Sequence, residues 1–363
     1  MFIEPRGVRP CCSYDLLHQV SVKDWLHSAS LKQLQTNIKT GIVDPGCETC
    51  IKNEKINGFS TRTHALNDYP EPTVDTNIDY VDYRSRNICN FKCRSCEPFF
   101  SNGIAHEART HPELQTFYAI PQGKTADIST RDKDWVIENL SHIKRLMFTG
   151  GEPTKIPEVR EIIDMIRLSN NTEISVMITS NASFEDPYWA MITEQMPNIH
   201  WTLSVDAVGQ AAEIIRHGTD WGLVSSNIDL MFDISPSVNL GTVITNLSLF
   251  NLGDLFDYAN TIKDKYSHRS NGRTQLISIC YTPSYFSPYV WNQELLIKAQ
   301  DHVDRLCARD DLQESQRSVL ETLAQRLSIT DNDPNLWAKF KAYNGILDSI
   351  RKQHCQQLFP LEI

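Results

Sequence analysis

Three cysteines occur within eight residues, in the order Cys89-Asn-Phe-Lys-Cys93-Arg-Ser-Cys96. They lie where a predicted strand ends and a predicted helix begins. A [4Fe–4S] cluster normally takes one thiolate for each of its irons. Three thiolates therefore leave one iron open to bind a small molecule, as a catalytic zinc ion keeps one position free. A cluster held by this triad would therefore keep one ligand position vacant.

A glycine-rich motif, Gly150-Gly151-Glu152-Pro153, directly follows a predicted buried strand at 143–149. The two glycines remove Cβ atoms where the backbone approaches a ligand closely, and the proline prevents the strand from continuing. Each motif alone is a limited indication. The two together, in this order and each after a strand, favour a common function.

The two motifs resemble those of the radical S-adenosylmethionine (SAM) superfamily, whose cysteine spacing is C-x3-C-x2-C. The resemblance implies that Cys89, Cys93 and Cys96 hold a [4Fe–4S] cluster and that the amino and carboxylate groups of SAM fill its open iron. It also implies that the backbone of Gly150–Gly151 and the side chain of Glu152 bind the methionine amino group of SAM.

One feature of the superfamily is absent from this chain. An aromatic residue often precedes the third cysteine, but Ser95 occupies that position here. The contact to the adenine of SAM therefore falls to another residue, for which Phe91 and Tyr281 are the candidates.

The composition is that of an ordinary globular protein, with 363 residues of which 40% are hydrophobic and 22% are charged. No apolar run reaches the length of a membrane span, and the first residues lack the apolar core of a signal peptide. Ten cysteines without such a signal indicate a reducing compartment, so we expect a cytoplasmic protein.

Charge argues against a nucleic acid partner, because a net charge of −10 disfavours a broad phosphate-binding surface. Basic residues near the cysteine triad are expected to attract SAM or an acidic electron donor, and these are Arg84, Arg86, Lys92 and Arg94.

From about residue 76, apolar runs alternate with helical patterns, which is typical of parallel βα units. The predicted strands are 78–84, 143–149, 174–180, 199–206, 238–246 and 275–282. The predicted helices are 102–118, 133–141, 157–169, 187–195, 208–233 and 251–265, followed by 290–308, 312–328 and 333–356. Six units fit an α/β fold, a partial (βα)6 barrel, whose functional groups collect at the carboxyl ends of the strands.

These patterns predict three parts of the chain. Residues 1–75 form a small Cys-rich module, residues 76–285 form the barrel, and residues 286–363 form a helical extension. An extension of this kind more often covers a barrel than performs its chemistry.

Polar side chains alternate with apolar ones near the ends of the predicted strands. In the strand 199–206, Ser204 and Asp206 share a face opposite Leu203 and Val205. In radical SAM proteins such side chains contact the ribose and carboxylate of SAM. By resemblance this role passes to Ser180, Asn181, Ser204, Asp206 and Arg216; the alternative is a solvated strand edge and, for Arg216, a surface helix end.

Four cysteines precede the predicted barrel: Cys11, Cys12, Cys47 and Cys50. Their order resembles the SPASM and twitch modules, which bind an auxiliary iron–sulfur cluster but usually follow the barrel. The resemblance implies a second cluster, while a structural zinc site and unmetallated thiols stay open as alternatives. Cys11 and Cys12 are adjacent and would be strained as ligands of one metal, which favours binding through one of them.

Cys280 lies on the last predicted strand. Its simplest interpretation is a small buried hydrophobic residue, since free cysteine is among the most buried residue types. Its weak S–H bond also makes it a candidate hydrogen atom donor to a substrate radical.

The resemblance implies an enzyme in which a reduced cluster cleaves SAM to a 5′-deoxyadenosyl radical that abstracts a substrate hydrogen. An electron donor such as flavodoxin or ferredoxin is implied as a partner. By analogy with SPASM enzymes the expected substrate is a peptide or protein, and the alternative is a small polar molecule such as a sugar or nucleoside. A third interpretation, from another class, is a zinc-stabilised binding module, which predicts a colourless rather than a brown protein.

Overall fold

The computed structural model describes residues 1–57, 60–68, 78–118, 132–169, 171–268, 275–329 and 333–360. The strands, in chain order, are β1 (Phe2–Glu4), β2 (Gly7–Arg9), β3 (Tyr80–Tyr83), β4 (Lys92–Cys93), β5 (Arg145–Phe148), β6 (Ser175–Ser180), β7 (Ile199–Ser204), β8 (Arg216–His217), β9 (Val238–Ile244) and β10 (Gln275–Ile279). The helices are α1 (Val22–Leu26), α2 (Ala29–Lys39), α3 (Glu48–Asn57), α4 (Thr61–Asp68), α5 (Asn102–Thr110), α6 (Lys133–Glu138), α7 (Pro157–Leu168), α8 (Tyr188–Gln195), α9 (Gly209–Ile215), α10 (Trp221–Ile234), α11 (Leu252–Lys265), α12 (Gln293–Cys307), α13 (Glu314–Leu327) and α14 (Pro334–Arg351).

The chain divides into two compact units. The first contains Met1–Asn87 and Asp127–Met177, and the second contains Ile88–Ala126 and Ile178–Ile363. Both are mixed α/β structures in which most strands run parallel.

In the first unit the strand order is β5-β3-β1-β2. β3 pairs in parallel with β5 and β1, and β1 pairs antiparallel with β2. The buried rings of Tyr83 and Phe148 meet edge to face with centroids 6.3 Å apart. Helix α7 begins at a proline, which is favoured at a first helical position. Its buried residues are spaced by three or four, so they form one apolar face: Val159, Ile162, Ile163 and Ile166.

In the second unit the strand order is β10-β9-β7-β6, where β6 belongs to this unit from Ile178 onward. β9 pairs in parallel with both β7 and β10. Along β7, Ile199, Trp201 and Leu203 are buried and the residues between them are half-buried. This alternation confirms the two-faced strand that the sequence predicted.

The helices after residue 286 pack within the second unit. α12 packs against α13, α13 packs against β10, and α14 packs against the turns at Ser284–Phe286 and Pro112–Thr116. The buried amide of Gln316 on α13 donates from Nε2 to Gln275 Oε1 of β10 over 3.1 Å. Within the described ranges, no helix has both the length and the apolar composition needed to cross a membrane.

The six predicted βα strands all occur. The predicted helices 133–141 and 333–356 end early, at Glu138 and Arg351, and two other helices differ more. The 208–233 helix is interrupted after Ile215, and Gly218 adopts a φ of +106° within the break. The 102–118 helix ends at Thr110 because Pro112 disfavours helical geometry at the residue before it. The barrel closure and the domain boundary after residue 285 stay predictions, and the boundary after residue 75 lies outside the described residues.

Candidate functional site

The cysteine triad lies on a loop of the second unit that is fastened to strand β8. Cys93 is the register partner of Arg216 in the antiparallel pair of β4 and β8. The backbone amide of Cys96 donates to Cys93 O over 3.1 Å, and the amide of Phe91 donates to Cys89 Sγ over 3.4 Å. The loop therefore turns tightly, and all three cysteines are half-buried.

The thiols of this loop interact electrostatically with the guanidinium of Arg216. Burial raises the pKa of Cys93, and burial together with the Cys93 thiol raises the pKa of Cys96 to about 12. Burial alone would lower the pKa of Arg216, but Cys93, Asp206 and Cys89 raise it. Both thiols are thus protonated at neutral pH, and metal binding would release their protons.

Across the described residues, no three or more histidine, cysteine, aspartate or glutamate side chains converge closely enough to hold a single metal ion. A four-iron cluster requires less convergence, because each thiolate binds a different iron. One turn joins Cys93 and Cys96, and Cys89 lies four residues before Cys93. All three thiols interact electrostatically with Arg216. Their number and chemistry suit such a cluster.

A small cavity in the second unit collects several predicted SAM-binding side chains. Among the residues that line it are Asn181, Ser204 and Arg216, together with Phe91 and Trp221. The Arg216 guanidinium lies 5.9 Å from the centroid of the Phe91 ring. Three predicted residues from three different segments therefore meet at one place.

Asp206 and Ser180 form hydrogen bonds to residues at or next to this cavity. Asp206 Oδ2 accepts from Arg216 Nη1 over 2.8 Å, and its Oδ1 accepts from the backbone amide of Val243 over 2.9 Å. Ser180 is buried, and its Oγ accepts from the amide of Ala182, which has a φ of +59°. These contacts fix the turn after β6 and the orientation of Arg216.

Asn90 and Ser183 complete a polar network that the sequence analysis did not identify. Asn181 Nδ2 donates to Asn90 Oδ1 over 3.0 Å, and Asn90 Nδ2 donates to Ser183 Oγ over 2.8 Å. Asn181 Oδ1 accepts from Ser183 Oγ over 2.6 Å. The available signal was the position of Asn90 directly after Cys89, but its partner lies about 90 residues away along the chain.

The Gly150–Pro153 motif follows β5 in the first unit. Gly150 has a φ of +106°, and a Cβ there would lie 3.3 Å from Arg86 O. Gly151 N donates to the same carbonyl over 3.2 Å. Glu152 is buried, and its Oε1 accepts from the amide and the hydroxyl of Thr154 over 3.1 and 2.7 Å. The glycines thus serve a close backbone approach, and Glu152 caps the following turn.

The N-terminal cysteines lie in the first unit, around a buried Asp44. Asp44 accepts from Tyr14 Oη over 2.5 Å, from Asn37 Nδ2 over 2.9 Å and from Gly46 N over 3.0 Å. These bonds hold the short turn Pro45–Cys47, from which α3 continues.

The four N-terminal thiols are close enough to influence one another. Burial raises the pKa of Cys11, and Cys12, Cys50 and Cys47 raise it further. Cys50 is buried, whereas Cys12 is exposed. These described thiols form no ready site for a single metal ion. A cluster would ask less of them, because each thiolate binds a different iron.

Cys280 and Tyr281 follow β10. Cys280 is 6% exposed, its thiol donates to Thr282 O over 3.5 Å, and burial raises its pKa to about 11. Tyr281 is exposed, and the Arg326 guanidinium lies 5.6 Å from its ring centroid. Phe91, not Tyr281, lines the cavity beside Arg216.

The expectation that Arg94 attracts SAM or an electron donor is wrong. Its side chain is fully buried and forms an ion pair with Asp348 on α14. A guanidinium without solvent contact that is already paired does not present its charge to a passing ligand.

No family model matches the chain. A curated S-adenosylmethionine-dependent nucleotide dehydratase of Flammeovirga pacifica is 23% identical over 195 residues, which are 51% of this chain and 60% of the relative. The chain spans about 60% of the length of this SAM-dependent relative.

Three solved structures match parts of this chain at low similarity. They are anSMEcpe with bound AdoMet (19% identity, TM-score 0.42, 62% of this chain and 57% of that chain), Streptococcus suis SuiB (14%, 0.39, 81% and 60%) and TYW1 with a lysine-pyruvate adduct bound (11%, 0.35, 77% and 89%). Such scores give no residue-by-residue correspondence with this chain.

Proposed function

We propose that this chain is a radical SAM enzyme. In this proposal Cys89, Cys93 and Cys96 hold a [4Fe–4S] cluster, and the cavity lined by Asn181, Ser204 and Arg216 accepts part of SAM. The supporting observation is that Arg216 lies in this cavity and is also the strand partner of Cys93. The β4–β8 strand pair therefore contributes one residue to the cysteine triad and one residue to the cavity wall.

The bound cluster would supply one electron to the SAM sulfonium, which yields the 5′-deoxyadenosyl radical that removes a substrate hydrogen. The residues of the chain bind and orient. Arg216 supplies a permanent positive charge suited to a carboxylate. Asp206 keeps the guanidinium in place through its bond to Nη1. Phe91 offers a ring at the cavity wall, as expected for a contact to an adenine.

We propose further that Gly150, Gly151 and Glu152 bind the amino group of SAM. The supporting observation is the backbone at Gly150. It has a positive φ and lies so close to Arg86 O that a residue with a Cβ would have to displace its neighbours. Glu152 Oε1 holds Thr154, which fixes the orientation of the carboxylate.

For Cys11, Cys47 and Cys50 we propose an auxiliary cluster. The support is the mutual influence of these thiols and the Asp44 network that holds the turn before Cys47. Zinc at the same thiols is the alternative, and metal analysis separates the two.

Two substrate classes follow from this proposal. A peptide or protein is expected from the analogy with SPASM enzymes. A nucleotide is favoured by the name of the relative, a nucleotide dehydratase. SAM cleavage assays with ribonucleotides and with short peptides distinguish them, because the true substrate class accelerates cleavage and acquires a chemical change.

The decisive experiment is anaerobic reconstitution, iron and sulfide analysis, and chromatography of SAM products after reduction with dithionite. We expect a brown protein that forms 5′-deoxyadenosine. The variant Cys89→Ala/Cys93→Ala/Cys96→Ala should lose this product and one cluster's iron, whereas Cys307→Ala on α12 should retain both. Product formation by the triple variant at the wild-type rate, or a colourless zinc protein, would contradict the proposal.

A further inference from the structure

Arg94, which directly follows the second cysteine of the triad, is anchored by the C-terminal helix α14. Arg94 is fully buried. Its backbone amide donates to Ile215 O over 2.9 Å, and its carbonyl accepts from Tyr343 Oη over 2.9 Å. The peptide groups on both sides of this residue are therefore fixed.

The guanidinium of Arg94 binds three separate segments. Nε donates to Ile214 O over 3.0 Å, Nη1 donates to Asn344 Oδ1 over 2.9 Å, and Nη2 donates to Gln353 Oε1 over 3.2 Å and pairs with Asp348. Each guanidinium nitrogen thus donates to a protein oxygen. Arg94 therefore stabilises the loop that carries Cys93 and Cys96 and has no donor nitrogen left over for SAM.

Lys92, on the other side of Cys93, is tied to the same helix through Glu107. Lys92 Nζ lies 2.9 Å from Glu107 Oε1, and Arg351 of α14 donates to both carboxylate oxygens of Glu107 over 3.1 and 2.6 Å. Both basic residues that flank Cys93 are therefore connected to α14, one directly and one through a buried carboxylate.

We propose that Arg94 is a positioning residue, which together with α14 fixes the geometry of Cys93 and Cys96, the residues that would hold the cluster. The inference rests on the proposed function. Arginine reaches Ile214 O, Asn344 and Asp348 with three separate nitrogens of a planar fork, whereas all donors of a lysine lie on one nitrogen. A misplacement of about 1 Å near reacting atoms can cost about 100-fold in rate. The helical extension is then part of the catalytic framework and more than a cover.

The test uses the full chain, reconstituted anaerobically, with the variants Arg94→Lys and Asp348→Asn. Arg309→Lys is the matched control, because Arg309 lies in the same unit and pairs with Asp257 and Asp311 at a partly exposed site. For Arg94→Lys we expect wild-type iron content, an altered EPR spectrum of the reduced cluster with SAM, and a loss of about tenfold or more in kcat for 5′-deoxyadenosine. The KM for SAM should change far less, and Arg309→Lys should match the wild type in all four measurements.

Asp348→Asn removes one partner of the guanidinium and should show the same changes to a smaller degree; it decides the question if Arg94→Lys does not fold. Wild-type EPR spectra and kcat in the folded variants would overturn the inference, as would a loss of activity fully explained by lost iron. Failure of the proposed function looks different, since the wild-type protein itself would then form no 5′-deoxyadenosine.

Discussion

The charged side chains of Arg216 and Asp206 are largely buried. The Arg216 side chain is 14% exposed and the Asp206 side chain is 9% exposed. A single carboxylate forms the ion pair, and the same carboxylate also holds the amide of Val243 on β9. Loss of the carboxylate charge would leave the guanidinium without its counterion in the cavity wall. The pair is therefore a weak point for stability as well as a candidate SAM contact.

We expect Asp206→Asn to lower the free energy of unfolding by about 3–5 kcal/mol, because it leaves a buried charge unpaired. Urea unfolding monitored by circular dichroism measures the change. The control is Asp229→Asn, whose pair with Lys265 is about half exposed, so its loss should cost much less. Equal effects of the two substitutions would argue against a special role for the buried pair.

Glu107 predicts a pH dependence of stability. Burial alone would raise its pKa, but Arg351 and Lys92 lower it below the ordinary 4.5. A carboxyl with a lowered folded-state pKa contributes stability that is fully present above its unfolded pKa and is lost as pH falls through the folded one. We therefore expect the free energy of unfolding to decrease as pH falls below about 4.5.

Urea unfolding between pH 3 and pH 7 tests this expectation, with Glu107→Gln as the comparison. The variant should be less stable at neutral pH and should lose less stability on acidification. A variant with the same acid slope as the wild type would assign that slope to other carboxyl groups.

Among single residues, sequence reasoning pointed to polar residues at strand ends that line the cavity, and it missed residues whose partners are distant in the chain. Asn181 and Ser204 were predicted because polar residues alternate with apolar ones at strand ends. Arg94 was misjudged because its partner Asp348 lies 254 residues later in the chain. A charge next to a cysteine motif does not reveal whether it faces solvent or a buried carboxylate.

At the scale of elements, apolar runs predicted the parallel strands because their side chains are buried in the core. β1 and β2 were missed, since strands of three residues are too short to show a periodicity. The pair of β4 and β8 was missed for the same reason, with two residues each. That pair nevertheless joins Cys93 to Arg216. The strands that connect the cysteine triad to the cavity are therefore the ones that the sequence pattern could not predict.

The turn after β5 gives a prediction at this scale. We expect Gly150→Ala to destabilise the protein by about 1–3 kcal/mol, because Ala is strained at a φ of +106° and its Cβ would crowd Arg84 and Arg86. Gly41→Ala is the control, since Gly41 also has a positive φ, of +73°, but its Cβ would meet nothing within 4 Å. Thermal unfolding measures both; a larger loss for Gly41→Ala would contradict the argument from crowding.

At the scale of the molecule, the two cysteine groups lie in different compact units, Cys11, Cys12, Cys47 and Cys50 in the first and Cys89, Cys93 and Cys96 in the second. Each group has its own supporting contacts: the Asp44 network in the first unit and the β4–β8 pair in the second. The two proposed metal sites therefore share no ligand.

We expect the iron content to be additive. Replacing Cys89, Cys93 and Cys96 by Ala should remove about four irons per chain, and replacing Cys11, Cys47 and Cys50 by Ala should remove about four others. Only the first set should abolish SAM cleavage by itself. Iron and zinc analysis of both variants, beside the wild type and Cys307→Ala, tests this; zinc lost from the N-terminal variant instead of iron would replace the auxiliary cluster by a structural zinc ion.

The contact between Arg94 and Asp348 forms late during synthesis of the protein, because 254 residues separate the two partners. At about 5–20 residues per second, a ribosome needs about 13–50 s to make the intervening chain. During that interval the cysteine loop emerges without the helix that later secures it. Iron delivered before the chain is finished would therefore meet a loop that α14 does not yet hold, and iron delivered afterwards would meet a loop that α14 has fixed.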